Sequence, residues 1–169
     1  MAATSRPGAS DRAIVDKALR HALSGAGAHA ATSDVFAALD WKLAGHRPVR
    51  APHSIYELLV HMTYWQEWVV KWLDGSRPHI PKHASESWPG RKAPANRQEW
   101  TAAVQRFRRG LEASARRSPD AALASGGREK SRLEMLHTIA SHNSYHAGQV
   151  VLLRQMLGAW PPPSGGLTW

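Results

Sequence analysis

Residues 131–158 read SRLEMLHTIASHNSYHAGQVVLLRQMLG, and this stretch predicts a long amphipathic helix. Ser131 followed by Glu134 is a capping box that starts the helix, and Gly158, shortly before three prolines, ends it. Helical spacing places one row of residues on the inward face: Met135, Ile139, His142, His146, Gln149, Val150 and Leu153. Two histidines four residues apart therefore face the interior of the protein.

The rest of the chain repeats this helical spacing, and alternating strand patterns are hard to find. Three further long helices are predicted, at about 11–23, from Ser54 to a stop at Gly75, and from Asn96 to just before Pro119. A shorter segment that starts near Thr32 or Ser33 is expected to point Val35, Phe36 and Leu39 inward. We therefore predict an all-α fold, a four-helix bundle with long loops between its helices.

Length and composition bound the possible classes of protein. The 169 residues fit a single domain over 11–169, after a disordered N-terminal tail over 1–10. The chain has no cysteine, which excludes disulfides and thiolate metal sites. No stretch approaches the roughly 18 unbroken apolar residues of a membrane span, so we expect a soluble cytoplasmic protein. The net charge of +9 is spread along the chain, which favours solvated basic helix faces over a nucleic-acid surface.

A third histidine, His61, lies on the inward stripe of the second long helix, where an apolar residue would be usual. Together with His142 and His146 it could form a metal site, because burying three unpaired imidazoles is costly and a shared divalent ion satisfies them together. The alternative is a set of core histidines, each hydrogen-bonded to a carbonyl group or to water. His29 and His53 are the two other histidines that could approach such a site.

Further residues surround this constellation in the sequence. Gln149 could orient a ligand or hold a helix contact, and Tyr145 flanks the pair, which makes both candidates for a catalytic role. The pair is not the metalloprotease motif, since Asn143 stands where that motif has its glutamate base. The long connection over 76–95 is expected to form part of an active-site wall. Four tryptophans at helical spacing are interpreted as core residues: Trp65, Trp68, Trp72 and Trp100.

Two segments together resemble the DinB/YfiT superfamily of metal-binding four-helix bundles. They are SIYELLVHMTYWQEW, which starts at Ser54, and HNSYHAGQVVLLRQMLG, which starts at His142. The resemblance implies a bundle with an unusual helix order, often dimeric, that binds a divalent metal, commonly zinc or nickel. Its ligands would be His61, His142 and His146.

The same resemblance implies a choice of functions. Relatives use low-molecular-weight thiols such as bacillithiol or mycothiol in transferase or isomerase reactions, and others are called metal-dependent hydrolases. We therefore expect a metal-dependent enzyme that activates a thiol for transfer to a small electrophile. Hydrolysis by metal-bound water is the first alternative, with Asp40 and Glu67 as possible bases. A non-catalytic metal- or ligand-binding stress protein, or a dimeric scaffold, is the second.

Overall fold

The computed structural model describes residues 8–25, 27–123, 131–163 and 165. In this part of the chain all regular structure is helical, which confirms the predicted all-α class. The α-helices are α1 (Ala9–Ser24), α2 (Trp41–Gly45), α3 (Ile55–Leu73), α4 (Arg97–Ala115) and α5 (Arg132–Met156), with 3₁₀ turns at Ala84–Ser87 and Ser118–Leu123. The four long helices pack against one another, and none of the described helices is long and apolar enough to cross a membrane.

Local capping signals position the helices as predicted. The Ser131 side chain accepts a hydrogen bond from the Glu134 N–H at 3.1 Å, and the Glu134 carboxylate accepts one from the Ser131 N–H at 2.6 Å. Asn96 caps α4 by accepting a bond from the Glu99 N–H at 2.9 Å. Gly158, with φ of 66°, takes the left-handed conformation just beyond α5.

Three features near the N-terminal end differ from the sequence predictions. Helix α1 begins at Ala9, inside the tail predicted over 1–10, whereas residues 1–7 lie outside the described part. Its buried residues are Leu19 and Leu23, whereas Ile14, which helical spacing from the sequence predicts on the same inward face, is 64 % exposed. The segment from Thr32 forms turns rather than a helix, although it buries its apolar side chains as predicted: Val35, Phe36 and Leu39. Gly126 and Gly127, a pair that is typical of a turn and so predicts one before the last helix, lie outside the described residues.

The core consists of two apolar clusters that share α3 and α5. One contains Met62 and Val150, and the other contains Val69 and Ile139. Between these clusters along the two helices stand Gln66 and Asn143, two amide side chains with no exposed surface. A third helix approaches closely at this level, since a Cβ atom on Gly110 of α4 would lie 3.2 Å from the Gln66 Oε1 atom.

One buried arginine connects the end of α5 to the turns that precede α2. Arg154 is 2 % exposed, and its guanidinium donates hydrogen bonds to the carbonyl oxygens of Val35 at 2.8 Å, Ala37 at 3.0 Å and Ala159 at 2.8 Å. The Trp160 ring lies 5.4 Å from its Cζ atom. Burial lowers the pKa of the Arg154 guanidinium. These carbonyl groups and the ring replace the water that the charge loses on folding.

We predict that Arg154→Lys lowers the free energy of unfolding by about 2 kcal/mol, because an ammonium group cannot reach carbonyl groups on both sides of the helix end. Urea denaturation measures the change. The matched control is Arg97→Lys, at a side chain that is 79 % exposed, and it should leave stability unchanged. Equal losses in the two variants would contradict the role assigned to Arg154.

Candidate metal centre

His61 is positioned by the start of α3. The Ser54 side chain accepts a hydrogen bond from the Glu57 N–H at 3.2 Å, and the Glu57 carboxylate accepts one from the Ser54 N–H at 2.7 Å. Arg47 donates to both oxygens of that carboxylate, at 2.8 and 2.9 Å. One helical turn further on, His61 points inward and is 7 % exposed. The capping box therefore sets the register that brings this imidazole to the interior.

The structure brings the three predicted histidines together. His61 lies opposite His142 and His146 of α5, and one nitrogen from each ring lies within 4.8 Å of the others. The Nε2 atoms of His61 and His142 are 3.2 Å apart. The ring centroids of His142 and His146, one turn apart on α5, are separated by 4.5 Å. The group is one that could hold a metal ion.

Hydrogen bonds at the outer nitrogens orient two of the three rings. His61 Nδ1 lies 3.3 Å from the Ser87 carbonyl oxygen, and His146 Nδ1 lies 2.7 Å from Gln149 Oε1. A ring that donates its Nδ1–H leaves the Nε2 lone pair free toward the centre of the group. His142 Nδ1 is buried and makes no hydrogen bond of good geometry in the described structure, although the Asn143 side chain lies close enough to affect the pKa of this ring.

Burial keeps the group uncharged. Desolvation and the proximity of His146 lower the pKa of His61 from 6.5 to about 4, and desolvation with the two neighbouring histidines lowers the pKa of His142 to about 4 as well. Desolvation also lowers the pKa of His146, against the opposing effect of the Gln149 hydrogen bond. At neutral pH the three imidazoles are therefore neutral, which is the form that binds metals.

The connection over 76–95 forms one wall of this site, as predicted. Its Trp88 ring stacks on His61, with centroids 3.9 Å apart and planes 7° apart. On its opposite face the same ring stacks on His53, at 3.7 Å and 8°. The adjacent Ser87 carbonyl accepts the His61 hydrogen bond. The sequence marks Trp88, in this loop, as a residue that could line a pocket or a dimer contact, and the structure places it against the histidines. Ser87 was not predicted, because a contact made by an irregular loop leaves no periodic signal.

The remaining candidates divide into neighbours of the site and residues outside it. Gln149 contacts His146 directly, whereas Tyr145 is 66 % exposed and touches His146 only through its ring edge, at 5.0 Å between centroids. His53 reaches the site through Trp88, but His29 hydrogen-bonds Ser144 and is outside the three-histidine group.

The possible bases Asp40 and Glu67, and the capping residue Glu57, all have other partners. Glu57 is held by Arg47 at the start of α3, and Glu67 pairs with Arg106 of α4. Asp40 caps α2 by accepting a hydrogen bond from the Lys42 N–H at 2.8 Å. In the described part of the chain, the candidate metal group contains histidines and no carboxylate.

Two cavities flank the site. One, with a volume of about 440 Å³, includes His142 in its lining, and the other, of about 340 Å³, includes Gln149 and His53. Three tryptophans predicted as core residues line the first cavity and are only partly buried: Trp65, Trp68 and Trp72. Trp100, which is 5 % exposed, is a core residue as predicted. The other three pack against the core but also line the cavity, so the prediction of a core position describes them only in part.

The donor set fits a divalent cation. Two nitrogens bound to one tetrahedral zinc ion at about 2.0–2.1 Å would be about 3.3 Å apart, close to the observed 3.2 Å between the Nε2 atoms of His61 and His142. Neutral imidazoles suit zinc and nickel. Three protein ligands would leave a coordination position for a small molecule, which is the arrangement of catalytic rather than structural sites.

Comparison with known proteins identifies one family. The model of the DinB superfamily matches residues 26–150, which is most of the chain and includes the three histidines. No curated protein and no solved structure gave a significant match.

The depressed histidine pKa values predict how acid affects the metal-free protein. Unfolded histidines take up protons near pH 6.5, whereas folded His61 and His142 do so only near pH 4. Stability should therefore fall as the pH is lowered from about 7 to about 4 and then level off. Urea denaturation of chelator-treated protein across this range tests the prediction. The double variant His61→Gln, His142→Gln should flatten this dependence, and His137→Gln, at an exposed position of α5, should not.

The stacking on His61 predicts a role for Trp88 in metal affinity. Trp88→Ala removes the ring that fixes His61, and we expect zinc to bind about tenfold more weakly, as when outer contacts of a ligand are lost. Competition with a chelating dye measures the affinity. Trp41→Ala, at another partly buried tryptophan, is the matched control and should retain it. Equal affinities in the two variants would show that the stack does not position His61.

Proposed function

The chain belongs to the DinB superfamily, and on that premise we propose that it is a metal-dependent enzyme that transfers a low-molecular-weight thiol to a small electrophile. His61, His142 and His146 would hold the metal, with zinc or nickel as the expected ion. The observation that carries the proposal is the buried group of three histidine nitrogens within 4.8 Å, with no carboxylate among them. Mycothiol and bacillithiol are the thiols that the family resemblance suggests.

A divalent ion in this position would favour the thiolate form of a bound thiol, which is the nucleophilic form. The residues around the metal would orient its ligands and exclude water. Ser87 and Gln149 hold two imidazoles in one tautomer by accepting their Nδ1 protons, and Trp88 excludes water from one face of His61. The protein itself needs no cysteine, in agreement with its composition.

The surroundings of the site favour a thiol over water as the nucleophile. Hydrolysis benefits from a general base within hydrogen-bond reach of the attacking water. The two acidic candidates have other partners, since Asp40 caps α2 and Glu67 pairs with Arg106. A thiol has a much lower pKa than water and therefore depends less on such a base.

The proposed reaction has two substrates, and two cavities flank the histidines. The thiol gives up its proton to solvent, and its sulfur forms a bond to the electrophilic carbon. The leaving group departs with the electron pair of the bond that breaks. The products are a thioether and the released group, with no change in the overall oxidation state.

Metal analysis with a thiol titration tests the proposal. Native-purified protein should contain about one divalent ion per chain, and His142→Ala should lose it. His137→Ala, at an exposed histidine of the same helix, is the matched control and should keep it. In cobalt-substituted protein, the absorption spectrum should change when a small thiol is added.

The outcomes separate the three functions. Absence of metal in protein refolded with zinc would contradict the metal site. A stoichiometric ion whose cobalt spectrum ignores thiols would contradict thiol transfer and favour hydrolysis or a binding role. A spectrum that responds to thiol, together with thiol consumption on addition of an electrophile, would support the transferase.

A further inference from the structure

The cavity beside His142 extends the metal centre along one face of α3. The residues of α3 that line it stand at the spacing i, i+3, i+4 and i+7: Trp65, Trp68, Val69 and Trp72. This row continues the stripe that begins one turn earlier at His61. Since most of these side chains are indoles, α3 presents an aromatic wall to the cavity.

Helix α5 lines the cavity with the same spacing, at Met135, Thr138, Ile139 and His142. Because seven residues of helix correspond to about 10 Å, this wall reaches about that far from the candidate metal ligand. The cavity volume of about 440 Å³ falls within the range of about 300–1,000 Å³ that is usual for small-molecule sites. A single benzene ring occupies a cavity of about 150 Å³, so this one has room for two fused rings with a substituent.

The indole rings are held in place by the core behind them. They are partly buried, and all three pack against one of the two apolar clusters. The Trp68 Nε1–H donates a hydrogen bond to the His79 carbonyl oxygen at 2.9 Å, and the Trp65 and Trp68 rings meet edge to face with centroids 6.0 Å apart. Ordered indoles favour flat aromatic ligands over aliphatic ones, because stacked and edge-to-face contacts add to the burial of apolar surface.

Several polar groups of the lining are already engaged within the protein. The Thr138 hydroxyl donates a hydrogen bond to the Glu134 carbonyl oxygen at 2.7 Å, and the Trp68 Nε1–H is bonded to His79. Arg77, at an exposed position beyond the end of α3, also interacts within the protein. The described residues that line the cavity include no Asp, Glu or Lys. A charged group placed between the indoles would therefore lose its hydration without gaining a partner.

We propose that this cavity binds the electrophilic substrate, and that the part of the substrate held between the indoles is a flat, uncharged aromatic group of roughly two fused rings. The reactive carbon of the substrate would lie at the His142 end, next to the metal centre. The identification of the occupant as a substrate rests on the proposed thiol transfer, whereas the recognition of an uncharged aromatic molecule rests on the cavity itself.

Calorimetric titration of the full chain with three related ligands tests the recognition. Saturable binding of 2-naphthalenemethanol is expected in zinc-loaded and in chelator-treated protein, because the tryptophans rather than the metal make the contacts. Its decahydro analogue has the same carbon skeleton without flat rings and should bind at least about threefold more weakly. In chelator-treated protein, where no metal can bind a carboxylate, 2-naphthoate should bind no more tightly than the alcohol.

A pair of variants locates the binding. Thr138→Trp inserts a ring into the cavity from an exposed helix position and should weaken the binding of naphthalenemethanol by at least about tenfold. The matched control Leu152→Trp adds the same ring to α5 beside the other cavity and should leave the affinity unchanged. The comparison of ligands uses the unaltered protein, so it keeps the test valid should Thr138→Trp fail to fold, as judged by circular dichroism.

Cobalt substitution tests whether the occupant reaches the metal centre. Because the cavity wall ends at His142, protons of bound naphthalenemethanol should show paramagnetic shifts in the cobalt protein relative to the zinc protein. Nuclear magnetic resonance of the ligand measures these shifts. Identical spectra of the bound ligand in the two proteins would overturn its assignment as the substrate.

Four results would overturn the recognition that we infer. They are an absence of saturable binding, equal affinities for naphthalenemethanol and its decahydro analogue, tighter binding of naphthoate in the metal-free protein, and unchanged affinity in folded Thr138→Trp. The proposed function fails separately, through a metal centre that ignores thiols. Naphthalenemethanol binding beside such a centre would leave the recognition of aromatic molecules intact, and a thiol-responsive centre without such binding would overturn the cavity assignment alone.

Discussion

Three imidazoles packed together, with one ring nitrogen of each within 4.8 Å of the others, constrain the whole molecule. They can share this space only as neutral groups, because two adjacent imidazolium ions in a site of low polarity would repel each other strongly. Burial and mutual proximity depress the pKa values of His61 and His142 in this way. Packing of the surrounding side chains compensates for the free energy that the imidazoles lose when they leave water. The geometry of the site therefore depends on how firmly α3, α5 and the connection over 76–95 are held in place.

The starts of the helices were predictable because their signals are local. Ser54 and Ser131 each have a glutamate three residues later, and both capping boxes form as expected. The same register made the histidine group predictable, since one apolar stripe on α3 and one on α5 contain all three residues. Periodicity thus identifies which faces of the helices point inward.

Periodicity could not predict contacts that cross the bundle or come from irregular backbone. Trp88 covers His61 through the conformation of a loop, and Arg154 would be taken for a solvated side chain in a chain rich in arginine. The tryptophans of α3 show a subtler case. Their helical spacing correctly predicts that they lie on the inward face of α3. It does not predict whether they meet a filled core or a cavity, because this depends on the distance between α3 and the helix that faces it.

The Arg154 contact to Val35 joins residues 119 positions apart in the chain. Bringing together such distant segments carries a large loop-closure entropy, and contacts of this kind form slowly during folding. His146 lies on the same helix, two turns before this arginine. A histidine group on a helix whose end is held by Val35 and Ala37 reaches its final geometry only after α5 has packed against a segment more than a hundred residues earlier in the chain. Partly folded chains would therefore not compete for cellular metal through this site.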